Sequence, residues 1–396
     1  MMNSKANDMK RRTMIMLAAA VTASSILVSG QGIANAQDGR SSQQQMGSKE
    51  IVDSRSNVKH AMDQAAAHKL TPGIFAVAMK SGESWSYASG QASIYDSYPI
   101  KSNYSFRIGS ITKSFTATVI LQLVDEKKLS LEDTVEKWLP GLVQGNGYDG
   151  NKITVRDLLQ MTSGIANYTT EKFIIEYEKT PFRNYSTEEL IGAGLAIKPS
   201  FAPGEIGKWE YSNTNTALAG EIIRKVTGET YAQQVKERII TPLGLKDTYS
   251  PGSSSHIPGL HARGYSIPFG SKDNKLVDFT EINPSWGNAA GDMISSGRDL
   301  NTFYSALLGG KLLKSETLQQ MLNGVETPIG LYGLGMIGVN LPNGKTFWGH
   351  GGNIHGSSSF AGGLVGGEHV MAISINAMHA DTSEQQFNVI KAEFGQ

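Results

Sequence analysis

Segments typical of β-strands lie near the two ends of the chain, and the long stretch between them is mainly helical. Near the start, an apolar run at residues 74–79 predicts a buried strand, and a hairpin turn at Ser81-Gly82 leads into its partner. Near the end, residues 357–365 and 369–376 predict two more strands joined by a glycine pair. The simplest arrangement brings these distant strands into one antiparallel sheet.

Helical segments enclose and separate these strands. Apolar residues recur at helical spacing over residues 58–66 and again over 384–394, which predicts a helix at each end of the domain. The other predicted helices are 110–127, 155–161, 187–196, 216–226, 231–240 and 299–308. We therefore predict an α/β (α+β) fold, in which an antiparallel sheet is flanked by N- and C-terminal helices and carries an inserted, mostly helical lobe. Residues 57–109 and 287–396 form the sheet lobe and residues 110–286 the helical lobe, and the cleft between them is the expected ligand site.

The first 36 residues have the three parts of a secretory signal peptide. Basic residues open the chain, an apolar run follows at residues 13–28, and Ala34-Asn35-Ala36 supplies the small residues that a signal peptidase requires. An uncleaved membrane anchor is the alternative, but Thr and Ser residues interrupt the run, which disfavours stable membrane insertion. We predict cleavage after Ala36, secretion to the extracellular medium, a polar leader or pro-segment at residues 37–56, and a folded domain at residues 57–396.

Composition and charge exclude several classes of function. Lys and Arg together number 36, as do Asp and Glu, so the formal net charge of zero gives no indication of a nucleic-acid partner. The chain has no Cys, which excludes disulfides, a thiolate nucleophile and Cys-ligated metals. Two histidine pairs, His256/His261 and His350/His355, lack the adjacent Glu of the H-E-x-x-H motif. We expect neither a metal nor a cofactor.

Ser110 and Lys113 are the first candidates for catalysis. If a helix begins at Ser110, the two side chains lie three residues apart on one face, with the hydroxyl at the positive end of the helix dipole. A neutral amine could accept the proton of that hydroxyl, which requires burial to lower the pKa of Lys113 from about 10.4 to about 8. Taken alone, the pair is explained more simply by an N-cap Ser followed by a surface Lys.

Two later motifs supply further candidates. Tyr211-Ser212-Asn213 precedes a predicted helix, where its phenol could transfer a proton and its amide could hold a substrate carbonyl. His350-Gly351-Gly352 precedes the C-terminal strands, and glycines in a strand often mark the close approach of another backbone or a ligand. A substrate peptide could lie along this edge, with His350 contributing a hydrogen bond or a switchable charge. Each motif alone also fits a structural role, either a buried Tyr with a capping Asn or a Gly-rich turn.

Together and in this order, the three motifs resemble those of the penicillin-recognising serine hydrolases. This family contains the class C β-lactamases, the D-alanyl-D-alanine carboxypeptidases and related esterases. The resemblance extends from about Val58 to Phe394. It also covers residues 106–109, 158–164, 203–204 and 242–245.

The resemblance implies a role for each motif residue. Ser110 would be the acylated nucleophile, while Lys113 and Tyr211 would form a coupled proton-transfer set in which either could be the base. Asn213 would orient the substrate amide, and the backbone N–H groups of Ser110 and Asn353 would form the oxyanion hole. The substrate-binding residues implied are Asn213, His350, Gly351, Gly352 and Asn353.

The third motif departs from the pattern of the family. Many members have Lys-Thr-Gly there, and a secreted carboxypeptidase branch has His-Thr-Gly. Here the middle residue is Gly351, and Asn353 stands where a further hydroxyl residue is common, so hydroxyls that help hold a terminal carboxylate are missing. A peptide that continues past the cleavage point is then easier to accommodate. A neutral His350 would place no positive charge near Lys113. Rising pH would deprotonate both bases, so we expect activity to rise into the alkaline range.

Within the family, the chain most resembles secreted Bacillus-type D-stereospecific peptidases (alkaline D-peptidases), which share the Ser-x-Thr-Lys start at Ser110. We therefore predict a secreted, monomeric serine peptidase that hydrolyses D-amino-acid-containing peptides or peptidoglycan stem peptides. Its action would be that of a D-stereospecific endopeptidase or a D-alanyl-D-alanine carboxypeptidase. β-Lactamase and carboxylesterase activities remain alternatives. A non-catalytic β-lactam-binding sensor would share the Ser110 site but would normally be tethered to the membrane.

Overall fold

The computed structural model describes residues 55–396. The predicted signal peptide at residues 1–36 lies outside the described residues, as do all but the last two residues of the predicted leader at 37–56. Residues 55–66 are helical, so the first helix includes two residues that the sequence analysis assigned to the leader. Between residues 55 and 396, no helix is both long enough and apolar enough to cross a membrane.

The strands at the two ends of the chain pair in one sheet. The strands are β1 (Gly73–Lys80), β2 (Glu83–Gly90), β3 (Ser105–Arg107), β4 (Gln144–Gly145), β5 (Tyr148–Asp149), β6 (Tyr265–Ser266), β7 (Val277–Asp278), β8 (Ile294–Ser296), β9 (Val325–Thr327), β10 (Gly330–Tyr332), β11 (Ile337–Asn340), β12 (Thr346–Ile354), β13 (Ser357–Gly363), β14 (His369–Ile375) and β15 (Ala377–Met378). Eight of them form the main antiparallel sheet, in the order β2-β1-β14-β13-β12-β11-β10-β9. The predicted pairing is confirmed, since Val77 of β1 lies opposite Ala372 of β14.

Helices cover this sheet and build the lobe beside it. They are α1 (55–66), α2 (Thr112–Asp125), α3 (Val135–Trp138), α4 (Val155–Gln160), α5 (Glu171–Lys179), α6 (Thr187–Leu195), α7 (Asn213–Thr227), α8 (Tyr231–Val235), α9 (Thr241–Leu243), α10 (Asn288–Gly291), α11 (Gly297–Leu308), α12 (Ser315–Leu322) and α13 (Thr382–Phe394). Helices α2 to α10 all lie between β3 and β8 in the chain, which matches the predicted insertion of a mostly helical segment.

Alternate side chains of β1 enter two separate hydrophobic layers, as expected for a strand covered on both faces. Ile74 and Ala76 are buried with apolar residues of the terminal helices α1 and α13. Phe75 is buried on the opposite face with Phe303 of α11. Helix α11 approaches β1 so closely that a Cβ on Gly297 would lie 2.7 Å from Val77 Cγ2. The predicted α/β fold, with its flanking terminal helices, is therefore confirmed.

Several elements differ from the sequence prediction. The helix predicted from Ser110 begins instead at Thr112, after a 3₁₀ turn at Gly109–Ile111. The predicted helix at 231–240 is α-helical only to Val235 and continues as a π-helix at Lys236–Ile240. Helices α5 and α12 were not predicted.

Strands β9 to β12 were also missed, and this matters for the site. The segment around Gly349, Gly351 and Gly352 was interpreted as preceding the C-terminal strands, but it lies inside β12. Glycine has low strand propensity, so the sequence of β12 does not show the strand that its neighbours in the sheet stabilise.

Helix α2 lies at the centre of the molecule and brings the two parts of the chain together. Phe115 stacks on Phe303 of α11 at a ring-centroid distance of 3.8 Å. On its other sides, the buried hydroxyls of Ser114 and Thr116 donate to the Gly335 and Ala289 carbonyls. A helix fixed on several sides in this way holds the turn at its N-terminus in a defined position.

Candidate active site

The 3₁₀ turn that carries Ser110 lies directly against β12. Gly109 has φ of +50°, and a Cβ there would lie 2.9 Å from the backbone nitrogen of Asn353. An L side chain would be strained by the positive φ and would also meet this backbone, so glycine is required before Ser110. The turn that carries Ser110 therefore packs against the backbone of Asn353, whose N–H the family resemblance assigns to the oxyanion hole.

Lys113 is fully buried one turn beyond Ser110. Its Nζ lies 3.0 Å from Ser110 Oγ, 2.7 Å from Asn213 Oδ1 and 2.9 Å from the carbonyl oxygen of Ala290. Burial lowers the pKa of Lys113 well below its usual value. A neutral amine has two N–H donors and one lone pair, which matches two carbonyl acceptors and one hydroxyl. The arrangement can therefore accept the proton of Ser110.

Tyr211 lies beside both groups. The Lys113 Nζ is 4.7 Å from the centroid of the Tyr211 ring, and Trp209 and Tyr332 pack around that ring. Burial raises the pKa of Tyr211, and the interaction with the Ser110 hydroxyl opposes that rise only in part. The phenol therefore stays protonated at neutral pH and can donate a hydrogen bond or pass on a proton.

Asn213 is fixed by groups that the sequence analysis did not single out. Its Nδ2 donates to Thr169 Oγ1 at 3.1 Å, and its backbone N–H donates to Asn167 Oδ1 at 3.1 Å. Together with Ala290, these residues were missed because they lie outside the motifs. The one available signal was that Asn167 and Thr169 follow the 158–164 segment closely.

His350 is buried within β12 and is held in one tautomer. Its Nδ1 lies 2.6 Å from the Gly351 carbonyl oxygen, so Nδ1–H donates there, and its Nε2 can then accept from the Tyr332 hydroxyl at 3.2 Å. Burial lowers the pKa of His350 to about 3. His350 is therefore neutral across the physiological range and does not carry the switchable charge that the sequence suggested.

The glycines of the third motif make room for the protein itself. A Cβ on Gly352 would lie 1.8 Å from the Ile108 carbonyl oxygen, whereas one on Gly351 would lie 3.3 Å from the Phe360 ring. The close backbone approach predicted at this motif is thus that of the segment leading to Ser110. The pairing between β11 and β12 ends at Gly349. The remainder of β12, which includes Asn353, is therefore not paired with β11.

Comparison with known proteins identifies the family. Residues 56–393 match the model of the beta-lactamase family. The chain belongs to the β-lactamase family. This agrees with the resemblance drawn from the motifs at Ser110, Tyr211 and His350.

Its curated relatives in the β-lactamase family include penicillin-binding proteins. "Penicillin-binding protein 4*" of Bacillus subtilis (strain 168) is 28% identical over 285 residues, which are 68% of this chain and 60% of that protein. "Putative penicillin-binding protein PbpX" of the same organism is 31% identical over 219 residues, which are 55% of this chain and 50% of that protein. The chain thus spans about half to three-fifths of the length of these relatives.

Solved structures similar to this β-lactamase-family chain include amidohydrolases. A D-stereospecific amidohydrolase from Streptomyces sp. is 41% identical with a TM-score of 0.79, covering 86% of this chain and 98% of that one. A D-amino acid amidase from Ochrobactrum anthropi SV3, in complex with L-phenylalanine amide, is 26% identical with a TM-score of 0.73 over 86% and 98% of the two chains. Both solved structures are therefore similar to this chain over most of its length.

Proposed function

We propose that this chain is a secreted D-stereospecific peptidase that hydrolyses amide bonds next to D-amino-acid residues through an acyl-enzyme on Ser110. The observation that carries the proposal is the buried amine of Lys113, whose Nζ lies 3.0 Å from Ser110 Oγ and whose pKa is lowered by burial. The 41% identity to a D-stereospecific amidohydrolase supports D-residue specificity. Its export rests on the signal peptide predicted at residues 1–36.

In the first half of the reaction, Lys113 removes the proton of the Ser110 hydroxyl as Oγ attacks the scissile carbonyl carbon. The negative charge that develops on the carbonyl oxygen is stabilised by the backbone N–H groups of Ser110 and Asn353. The C–N bond then breaks, and the proton passes from Lys113 through the Tyr211 phenol to the leaving amine. In the second half, water attacks the ester, its proton returns to the Ser110 oxygen through the same groups, and the acid product leaves.

We assign the role of general base to Lys113 rather than Tyr211. Burial moves the two pKa values in opposite directions, since it lowers that of Lys113 and raises that of Tyr211. Once deprotonated, the amine can therefore accept a proton while the phenol still holds one. Asn213 Oδ1 and the Ala290 carbonyl occupy the two N–H donors of the neutral amine, which leaves its lone pair directed to Ser110.

The third motif favours peptides that extend beyond the cleaved bond. Gly351 has no hydroxyl, and the Asn353 side-chain oxygen already accepts a hydrogen bond from Ser358 Oγ at 2.6 Å. Neither side chain provides the hydroxyl that binds a terminal carboxylate in related carboxypeptidases. Endopeptidase action on D-residue peptides is therefore our first choice, and D-alanyl-D-alanine carboxypeptidase, β-lactamase and carboxylesterase activities are the alternatives to be compared.

A substrate panel tests this choice. We expect a D-Phe oligopeptide to be hydrolysed with kcat/KM at least about 100-fold above that of its L counterpart, because the active site is chiral and binding differences of a few kcal/mol suffice. A D-Ala-D-Ala peptide, a chromogenic cephalosporin and a short-chain ester complete the panel. Equal rates on the D and L peptides would refute the stereochemical assignment. A single acylation without product release would instead identify a β-lactam sensor.

The dependence of activity on pH follows from the shifted pKa values. Below its pKa, Lys113 is protonated and cannot accept the Ser110 proton, so kcat/KM should rise about tenfold per pH unit until that pKa is reached. Tyr211 stays protonated and His350, with a pKa of about 3, stays neutral, so neither should add a step over this range. We expect an optimum above pH 7, measured with the D-Phe peptide. An optimum below pH 7 would contradict the assignment of Lys113.

A further inference from the structure

A second cluster of titratable side chains joins the two ends of the described chain. His68 follows α1, while His379 and Asp381 immediately precede α13. His68 Nε2 lies 3.4 Å from Asp381 Oδ2, and His379 Nδ1 lies 3.8 Å from the same oxygen. One ligand atom from each residue lies within 4.8 Å of the other two. We propose that His68, His379 and Asp381 bind a divalent transition-metal ion such as Zn²⁺.

Two of the three separations between these atoms suit such an ion. Zn²⁺ bonds nitrogen and carboxylate oxygen at about 2.0–2.2 Å, so tetrahedral ligands lie about 3.3 Å from one another. The two measured separations, 3.4 and 3.8 Å, are close to that value. Two imidazoles with one carboxylate favour Zn²⁺ and related transition metals over Mg²⁺ and Ca²⁺, which prefer oxygen ligands.

The surroundings of His379 present the correct nitrogen. The Thr71 hydroxyl donates to Gln385 Oε1 at 3.0 Å, so its oxygen accepts from His379 Nε2–H at 2.9 Å. The lone pair of His379 is therefore on Nδ1, where the backbone N–H of Asp381 also donates over 3.3 Å. A histidine whose second nitrogen donates to a fixed acceptor is the usual arrangement of a metal ligand.

The other two proposed ligands, His68 and Asp381, are accessible to an ion from solvent and can change their orientation. The side chains of His68 and Asp381 are 39% and 54% exposed, against 1% for that of His379. The His68 and His379 rings stack at 5.2 Å with their planes 15° apart, so binding one ion requires the His68 ring to turn. A long bond of 3.3 Å from the Leu70 N–H holds His68 Nδ1, so little opposes this rotation.

An ion at this site would tie the segment after α1 to the start of α13, away from the chemistry at Ser110. None of its three ligands belongs to the Ser110 site, so the expected effect is on stability rather than on turnover. Binding to the folded state alone raises Tm, by about 4 °C for a chain of this size at a Zn²⁺ concentration about 100 times Kd.

The test uses the full chain, purified without a polyhistidine tag, with thermal unfolding and titration calorimetry in Zn²⁺ or Mg²⁺. We expect one Zn²⁺ per chain and a rise in Tm, and no rise with Mg²⁺.

His68→Ala and Asp381→Asn change exposed side chains and should abolish both effects, and His379→Ala should do so if it folds. His256→Ala is the control, since His256 and His261 form another histidine pair, with rings 6.3 Å apart, and this variant should bind Zn²⁺ like the parent protein. Absence of Zn²⁺ binding at millimolar concentration, or binding that survives in His68→Ala and Asp381→Asn, would overturn the proposal.

Discussion

Replacing Ser110 with alanine is expected to lower kcat on the D-Phe peptide by at least about 10⁴-fold while leaving the protein folded, because the attacking oxygen is removed. The Ser110 side chain packs no core, and its hydroxyl contacts Lys113 Nζ at 3.0 Å. The measurement is the steady-state rate of the purified variant, with circular dichroism and thermal unfolding as checks on the fold. A probe that acylates the active site should label Ser110 in the parent protein and nothing in the variant.

Ser114→Ala is the matched control. The Ser114 hydroxyl lies in α2, four residues after Ser110. It donates to the Gly335 carbonyl at 2.9 Å and accepts from the Tyr304 hydroxyl at 3.1 Å. Losing these buried bonds should cost about 1–3 kcal/mol of stability but preserve turnover. The mechanism fails if Ser110→Ala keeps its activity, or if mass spectrometry finds the acyl group on another residue.

The second large effect is expected from Gly352→Ala. The new Cβ would lie 1.8 Å from the Ile108 carbonyl oxygen, and backbone atoms cannot yield as a flexible side chain can. The segment leading to Gly109 and Ser110 must shift away from β12, which moves Ser110 relative to the Asn353 N–H. Since misplacement by about 1 Å can cost 100-fold in rate, we expect kcat to fall at least about 100-fold and stability to fall by about 3 kcal/mol or more. Kinetics and urea unfolding measure the two quantities.

Gly351→Ala serves as its neighbour control. A Cβ there would lie 3.3 Å from the edge of the half-buried Phe360 ring, which can move by a few tenths of an ångström. We expect a loss of less than about 1 kcal/mol and activity within a few-fold of the parent protein. If both substitutions were equally mild, Gly352 would not be holding the Ser110 turn in place. If both were equally harmful, the strand as a whole would be intolerant and the specific contact would not be established.

The fold could be predicted where local patterns and tertiary structure agree. The apolar run at 74–79 and the runs at 357–365 and 369–376 are buried on both sides, so their sequences are strand-like throughout. Strand β12 could not be recognised because its glycines have low strand propensity, and Gly352 is required by a contact with Ile108, which lies about 240 residues earlier in the sequence. The start of α2 was placed two residues too early because the 3₁₀ turn at Gly109–Ile111 has the same local composition as a first helical turn.

The residues of the site likewise divide into those that the sequence predicted and those that it did not. Ser110, Lys113, Tyr211 and Asn213 come together as the motifs predicted, since each motif lies at a turn or at the start of a helix. Ala290 could not be predicted from the sequence because it acts through its backbone carbonyl, which any residue type supplies.

The proposed metal site could not be predicted from the sequence for a different reason. His68 and His379 lie at opposite ends of the domain, and no spacing rule connects them. Only the closure of the sheet between β1 and β14 brings their two segments together.

That closure has a consequence for how the polypeptide reaches its native state. Ile74 pairs with Ile375, so two inner strands of the sheet are separated by about 300 residues of chain. Such non-local pairing slows folding, because the entropy of closing a very long loop must be lost before the strands gain their contacts. A nascent chain cannot complete its sheet until β14 has been synthesised. We propose that this protein is exported, and export through a narrow channel requires an unfolded polypeptide. The late completion of the sheet keeps the polypeptide unfolded until nearly all of it has been synthesised.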